Sequence, residues 1–129
     1  MMEVKDFRNL KVWGRAHKLT LAIYLVTLDF PKEEIYGLTN QMRRSSASVP
    51  TNIAEGCGRD SQAEFIHFLQ IAMGSSSELE YQLILVYDLH YLDDEKFLEL
   101  SKELGEIQRM LNVLIHKVKS DNKPIENSI

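Results

Sequence analysis

The sequence contains one cysteine, Cys57, among 129 residues. A single thiol cannot close an internal disulfide, a pattern typical of proteins that stay in the reducing cytosol. No segment approaches the roughly 18 consecutive apolar residues of a membrane helix, and the first residues have no hydrophobic signal core. These absences argue against a disulfide scaffold and a membrane protein, and we expect a cytoplasmic chain.

Motifs that carry catalysis or bind a cofactor are equally scarce. The chain has no phosphate-cradling glycine loop and no nucleophile elbow. A di-iron bundle needs two Glu-x-x-His pairs, and Glu64 with His67 is the one such pair in the sequence. We therefore predict no metal, no cofactor and no enzymatic activity. One alternative stays open: the spacing of Arg109 and His116 resembles the pair of helical HEPN-type ribonucleases, although Met110 follows the arginine where a polar residue is usual.

The charge is small overall and uneven along the chain. A formal net charge of −4 argues against a uniformly basic nucleic-acid binder. Residues 1–59 nevertheless carry nine basic and six acidic side chains, whereas residues 60–129 carry six basic and thirteen acidic. The uneven charge predicts solvated faces and complementary subunit contacts, with a basic patch that meets phosphate as the alternative. The cations of this predicted patch are Arg8, Lys11, Arg15, Arg43, Arg44 and Arg59.

Apolar spacings of three and four residues predict four amphipathic helices. The first is expected from residue 7 or 10 to 28, and the second from a start between 33 and 39 to about 56. The third is expected from 61 to about 90, and the fourth from 93 or 94 to about 118. Pro31 ends the first helix, a capping box at Ser61 begins the third, and Asp93 or Asp94 caps the fourth. Short connections favour an all-α, antiparallel up-down-up-down four-helix bundle. We expect residues 1–118 to form this single domain and residues 119–129 to be a disordered tail.

Small residues and one proline mark the predicted helix contacts. The serines at 45, 46 and 48 and the run Gly74–Ser77 are expected to form a narrow contact between the second and third helices. Gly14 is expected to admit a neighbouring helix, Gly56 to cap the second helix, and Pro50 to kink it. Several apolar residues lie off the main stripes and predict a subunit interface: Ile66, Ile71, Tyr81, Leu85, Tyr87 and Val113.

Several segments together resemble a known family, the four helix bundle proteins. Its founding members are encoded by intervening sequences inserted in bacterial 23S ribosomal RNA genes, and many are described as ribosomal-protein-like. The most specific segment is Asn52-Ile53-Ala54-Glu55-Gly56 with the preceding Arg43-Arg44 and Pro50. The match covers about residues 7–118, and its other segments are Phe7–Trp13, Phe30–Glu34, Tyr36–Thr39, Gln41–Met42, Ser48–Val49, Arg59, Phe68–Ser75 and Glu78–Glu80.

The resemblance implies a left-handed bundle that assembles as a ring-like homopentamer. It also implies kinship with the accessory variability protein of diversity-generating retroelements, a basic pentamer that binds nucleic acid and a reverse transcriptase. The present chain differs in being acidic overall. The predicted function is a homo-oligomeric accessory module associated with RNA or the ribosome, whose partners are RNA, DNA or a nucleic-acid-handling protein. The alternative is an adaptor that binds another protein through an apolar helix face.

The resemblance also selects polar and small residues for a structural role. They are Pro50, Asn52, Glu55, Gly56, Gly74, Ser75, Glu78 and Glu80. We expect Arg43 or Arg44 to pair with Glu78 or Glu80 across the serine contact, which would hold the second and third helices in register. The competing hypothesis is that both arginines are exposed and touch phosphate.

Overall fold

The computed structural model describes residues 6–121, and four helices account for most of them. The helices are α1 (Lys11–Val26), α2 (Leu38–Cys57), α3 (Gln62–Asp88) and α4 (Asp94–Asp121). Short 3₁₀ turns precede α1 and connect it to α2, and no strand occurs in the part of the chain that the structure describes. The all-α four-helix bundle predicted from the apolar spacing is confirmed.

Side-chain caps set two of the helix starts. Ser61 Oγ accepts the amide of Glu64 at 3.1 Å, which confirms the start predicted for α3. Asp93 Oδ1 accepts the amide of Lys96 at 2.7 Å, so Asp93 rather than Asp94 caps α4. These bonds satisfy amides that the first turn of a helix leaves without a partner.

The observed helix ends differ from the predicted ones by one to three residues, and the differences at α1 and α4 have structural consequences. Helix α1 ends at Val26 rather than near Leu28, because a 3₁₀ turn over Thr27–Asp29 leads into the extended residue before Pro31. Helix α4 continues to Asp121, three residues beyond the predicted domain end. The remaining part of the predicted tail, 122–129, lies outside the described residues.

Hydrogen bonds between sequential helices show whether each pair runs parallel or antiparallel. In each pair of sequential helices, residue numbers rise along one helix as they fall along the other. The pairs are Thr20–Ser46 and Thr27–Arg43, Ser48–Ser75 and Ser45–Gln82, and Ser76–Gln108 and Tyr87–Asp94. Sequential helices are therefore antiparallel, while the left-handed twist of the bundle stays a prediction.

One apolar core joins all four helices. Its fully buried side chains include Ile23 of α1, Ile53 of α2, Leu69 of α3 and Ile107 of α4. Each fully buried aliphatic side chain contributes about 1.5–3 kcal/mol relative to an exposed one, so the core is the main source of stability. None of the helices within residues 6–121 combines the length and the apolar character that a membrane span requires.

The predicted small-residue contact between α2 and α3 is confirmed. Ser48 Oγ and Ser75 Oγ lie 2.8 Å apart, and Ser45 Oγ donates to Gln82 Oε1 at 2.6 Å. Gly74 is not part of the contact, because a Cβ built on it meets nothing within 4 Å. The same holds for Gly14, so the expected close approach of a helix there is wrong.

Gly56 has a different role from the predicted helix cap. It lies inside α2 and is buried, and Gly58 occupies the C-cap. A Cβ on Gly56 would lie 2.9 Å from Phe65 Cδ1 and 3.0 Å from Phe68 Cβ. The glycine therefore lets the end of α2 pack directly against the first two turns of α3.

Pro50 lies inside α2 with the helix continuous on both sides of it. Proline has no N–H and cannot donate to the carbonyl four residues earlier, which here belongs to Ser46. The Thr20 hydroxyl of α1 takes this place: its Oγ1 lies 3.0 Å from Ser46 O and 3.0 Å from Ala16 O. The hydroxyl has a single proton, and Ala16 O already has the amide of Thr20 as its helical partner. Ser46 O lacks such a partner, so it is the carbonyl for which the Thr20 hydroxyl matters most. The predicted kink stays a prediction.

Candidate functional site: the groove between α1 and α2

An open groove of about 710 Å³ runs between α1 and α2. Helical spacing builds both walls, since residues three and four apart share one face. Trp13, His17 and Thr20 line it from α1, and Arg59 closes one end from the α2–α3 loop. The remaining lining residues are Phe7, Ala47, Pro50, Thr51, Ala54, Glu55 and Gly58. The α2 wall is mostly small or apolar, which leaves the space open.

Aromatic rings form the α1 wall. The rings of Trp13 and His17 are stacked, with centroids 5.2 Å apart and planes 8° from parallel. Phe7, in the 3₁₀ turn before α1, meets Trp13 in an edge-to-face contact at 4.9 Å. Stacked and edge-to-face pairs add about 0.5–1.5 kcal/mol beyond burial. The wall is therefore held in place before any ligand binds.

Arg59 is held at the end of the groove by two neighbours. Its Nη2 donates to Glu55 Oε2 at 3.2 Å, and its guanidinium carbon lies 4.6 Å from the centroid of the Phe68 ring. The Arg59 side chain is 42% exposed, and an ion pair this exposed contributes only about 0–1 kcal/mol. The guanidinium is therefore positioned, yet it can exchange Glu55 for another anion at little cost.

The six cations predicted as one patch are spread over several places. Arg8 lies near the groove, 5.8 Å from the Phe7 ring centroid, and pairs with Asp6 at 2.9 Å. Arg15 faces α4, where Nε and Nη2 both bond the carboxylate of Glu103. This bidentate pair raises the pKa of Arg15 mainly through its hydrogen bonds to Glu103.

Lys11 lies on the α1–α4 side of the bundle, together with Met110 and Lys117. Lys11 and Arg15 therefore do not line the groove. Of the six predicted cations, Arg59 lines the groove and Arg8 lies beside it. The helical period explains the split, because Lys11 and Arg15 are one turn apart on a face of α1 that does not contain Trp13 or His17.

Arg43 does not make the expected pair with Glu78 or Glu80. Its Nε donates to Thr27 Oγ1 at 2.9 Å, and its guanidinium lies over the Tyr24 ring at 4.8 Å. Arg43 therefore ties α2 to the end of α1 rather than to α3. Arg44 is exposed on α2 and makes no ion pair with Glu78 or Glu80 either.

The polar residues of the family motif serve the helix contacts. Asn52 Nδ2 donates to Ser48 O at 2.8 Å and lies 2.9 Å from Ser48 Oγ, which in turn meets Ser75. Glu78 accepts from Gln82 at 3.4 Å, and Glu80 accepts from Gln108 of α4 at 3.1 Å. The bonds of Asn52 and Glu78 lie within α2 and α3, whereas the Ser48–Ser75 bond joins α2 to α3 and the Gln108–Glu80 bond joins α4 to α3.

Cys57 is buried at the end of α2. Burial, and to a smaller extent the charge of Asp6, raise the pKa of its thiol to about 11. Because the thiolate is the reactive form, the thiol is a poor nucleophile at neutral pH. The site that the chain offers is therefore the groove and not this cysteine.

Two further kinds of site were considered from the sequence: a metal site and a ribonuclease pair. Among residues 6–121, no group of three or more histidine, cysteine or acidic side chains is placed to hold a metal ion. On α4, Arg109 pairs with Glu106, and His116 Nδ1 lies 2.8 Å from the carbonyl of Asn112. Both residues of the predicted ribonuclease pair thus have a local partner within one turn.

Sequence reasoning missed the aromatic wall of the groove. Trp13, His17 and Thr20 follow the spacing of one helix face, and this was the available signal. The apolar spacing of the first helix includes Trp13 and predicts that its side chain is buried, whereas the structure leaves it half-buried and His17 exposed. Spacing shows that residues share a face, but it does not show whether the face is covered by another helix.

Fold and groove together define a small helical-bundle protein with an open, aromatic-lined surface between its first two helices. The sequence matches the family model of the 23S rRNA-intervening sequence protein over residues 8–113. The chain belongs to this family, which confirms the resemblance found in its motifs.

A solved structure supports the same assignment. A protein with unknown function from the S23 ribosomal protein family of Bacteroides thetaiotaomicron VPI-5482 is 26% identical in sequence, with a TM-score of 0.75. The similarity covers 81% of this chain and 95% of that one. No curated protein matches the sequence.

Proposed function

We propose that this chain is a non-enzymatic, homo-oligomeric and cytoplasmic module that associates with RNA through the α1–α2 groove. The observation that carries the proposal is the placement of Arg59 at one end of a groove whose wall is the Trp13–His17 stack. Proteins that bind single-stranded nucleic acid combine cations for the phosphates with aromatic rings for the bases. The groove offers both kinds of group within one surface.

Replacing Arg59 by alanine is expected to weaken RNA binding about tenfold, which corresponds to about 1.5 kcal/mol, the low end for a hydrogen bond to a charged group. The slope of log K against log salt should also become shallower by about 0.7 for one lost phosphate contact on a single strand. The measurement is fluorescence anisotropy of a labelled RNA hairpin with a single-stranded loop, at several salt concentrations.

The matched control is Lys102→Ala, which removes one exposed cation from α4, outside the residues that line the groove. It should leave both the affinity and the salt slope nearly unchanged. No binding of the wild-type chain at low salt would refute the proposed function. Equal effects of the two substitutions would show that the arginine acts only through net charge.

An exposed apolar ridge on α1 supports the homo-oligomer. Leu21, Leu25 and Leu28 are 53%, 68% and 69% exposed and follow one helix face into the 3₁₀ turn. Of the off-stripe residues predicted at a subunit interface, Ile71, Tyr81 and Val113 are exposed as well, whereas Ile66, Leu85 and Tyr87 are half-buried. We propose that the α1 ridge is buried between copies, in the pentameric ring that the family resemblance implies.

The substitution Leu25→Asp is expected to shift the chain to monomers at micromolar concentration, because an unpaired carboxylate in an apolar interface is strongly unfavourable. Multi-angle light scattering measures the mass. The control is Leu98→Asp on α4, which is 65% exposed and should leave the mass unchanged. A wild-type chain that is strictly monomeric would contradict this part of the proposal.

The same ridge favours one second candidate, an adaptor that binds another protein. Pull-down from the native cytoplasm, with and without nuclease, separates the two functions. A protein partner that survives nuclease treatment and is lost in Leu25→Asp supports the adaptor. A partner that disappears with nuclease supports association with RNA.

A further inference from the structure

We infer that the groove takes up an unpaired nucleobase of single-stranded RNA and does not follow the backbone of a duplex. This inference rests on the proposed function and names the form of RNA that the same site binds. Three features of the groove carry it: the balance of its charges, the arrangement of its rings and the exchangeable partner of Arg59.

The cations at the groove are each balanced by a carboxylate. Arg59 pairs with Glu55 at 3.2 Å, and Arg8 pairs with Asp6 at 2.9 Å. A protein that tracks a duplex neutralises several phosphates and owes most of its affinity to counterion release. A groove with this charge balance attracts few phosphates, so most of its affinity for RNA has to come from contacts with the bases.

The walls of the groove suit a flat ring. Trp13 and His17 stack on each other and Phe7 meets Trp13 edge-to-face, so a base would pack on the outer surface of this aromatic cluster and not between its rings. The opposite wall is low, because Ala47, Pro50 and Ala54 project little side chain. The volume of about 710 Å³ lies within the range of about 300–1,000 Å³ that holds small ligands. Bases of a duplex are stacked on each other and cannot enter such a groove, whereas an unpaired base can.

Polar groups at the groove match the rest of a nucleotide. The Thr51 hydroxyl and the Glu55 carboxylate lie on the α2 wall and can bond a base edge or a ribose 2′-hydroxyl. Arg59 is half-exposed and makes a weak ion pair, so it can turn from Glu55 to the phosphate of the bound nucleotide. Released from Arg59, Glu55 becomes available as a hydrogen-bond acceptor.

Trp13 is the only tryptophan of the chain, so its fluorescence reports directly on the groove. The experiment titrates the full-length protein with a single-stranded RNA of mixed sequence, long enough to form a stable duplex, and with the same strand annealed to its complement. The single strand is expected to quench Trp13 emission, and the duplex to bind at least about tenfold more weakly. The salt slope with the single strand should be near −0.7 to −1.4, as for one or two phosphates.

Anisotropy of the labelled single strand tests the ring itself. Trp13→Ala should weaken binding about 5- to 150-fold, the range for loss of one base-stacking ring, whereas Trp13→Phe should retain most of the affinity. His17→Ala removes an exposed ring with little risk to folding and should weaken binding within the same range. The control is Tyr36→Ala, an exposed aromatic residue in the turn before α2 and outside the groove, which should leave the affinity unchanged.

Each outcome decides between the two proposals. RNA binding with unchanged Trp13 emission and unchanged affinity in His17→Ala would overturn the inference and leave the proposed function standing. Duplex bound as tightly as the single strand would also overturn the inference alone. Absence of any RNA binding at low salt would overturn both.

Discussion

Replacing Gly56 by alanine is expected to lower the free energy of unfolding by about 1–2 kcal/mol, although alanine is the better helix former. In an open helix the same change raises stability by about 0.5–1 kcal/mol. At Gly56 the added Cβ would lie 2.9 Å from the Phe65 ring and 3.0 Å from Phe68 Cβ. Overpacking of this kind costs about 1–3 kcal/mol, which outweighs the gain in helix propensity.

Gly105 provides the control within the same protein. It lies in α4, is exposed, and a Cβ on it meets nothing within 4 Å. Gly105→Ala should therefore raise the free energy of unfolding by about 0.5–1 kcal/mol. Urea denaturation followed by circular dichroism measures both variants. If Gly56→Ala also stabilises the protein, the direct packing of α2 on α3 at this point is wrong.

The substitution Thr20→Val is expected to lower the free energy of unfolding by about 1–3 kcal/mol. Valine keeps the shape of threonine but removes the hydroxyl, which leaves the buried carbonyl of Ser46 without its hydrogen bond from Thr20. An unsatisfied buried carbonyl costs about this much. The carbonyl of Ser46 depends on Thr20 because residue 50 is a proline, which has no N–H to donate to the carbonyl four residues earlier.

A double-mutant cycle tests that reason. In Pro50→Ala, residue 50 regains an N–H that can bond Ser46 O within the helix. Thr20→Val should then cost clearly less than it does beside the proline, with a coupling of about 1 kcal/mol or more. If Thr20→Val lowers the free energy of unfolding equally in the wild-type chain and in Pro50→Ala, the hydroxyl stabilises the protein through its bond to Ala16 O within α1 and not through Ser46 O.

The predictions for Gly56 and Thr20 both concern residues that support the walls of the groove. Thr20 and Pro50 both line the groove, and Gly56 sets how α2 meets α3 just before Arg59. The groove therefore depends on hydrogen bonding and packing around α2 as well as on its aromatic wall. Variants that test RNA binding should accordingly be compared at equal folded fraction.

Local signals were sufficient wherever the chain interacts with itself over a few residues. The Ser61 cap, the stop before Pro31 and the apolar spacing of four helices are all properties of short segments. The serine contact of α2 and α3 was also predictable, because small polar residues in two helices allow close approach and mutual hydrogen bonds. The cap, the stop and the spacing required no knowledge of the tertiary arrangement, and the contact between α2 and α3 was inferred from the small residues present on each helix.

Partners of long side chains could not be predicted in the same way. Arginines reach several neighbours, and the sequence offers many carboxylates of equal chemistry. Arg15 finds Glu103 of α4, and Arg43 finds Thr27 and Tyr24 of α1, although Glu78 and Glu80 were the expected partners of Arg43. The choice depends on distances between helices that are set by the whole core.

By itself the sequence determined the helical class, the helix boundaries to within a few residues and the family. The tertiary structure decided which faces are covered, and so placed Trp13, an apolar stripe residue of α1, together with His17 in the wall of an open groove. It also decided that the six predicted cations lie on separate surfaces. At Gly56 it showed close packing between α2 and α3 instead of a helix cap. The physical reason is that helix formation depends on neighbours along the chain, whereas a surface site depends on how separate helices pack.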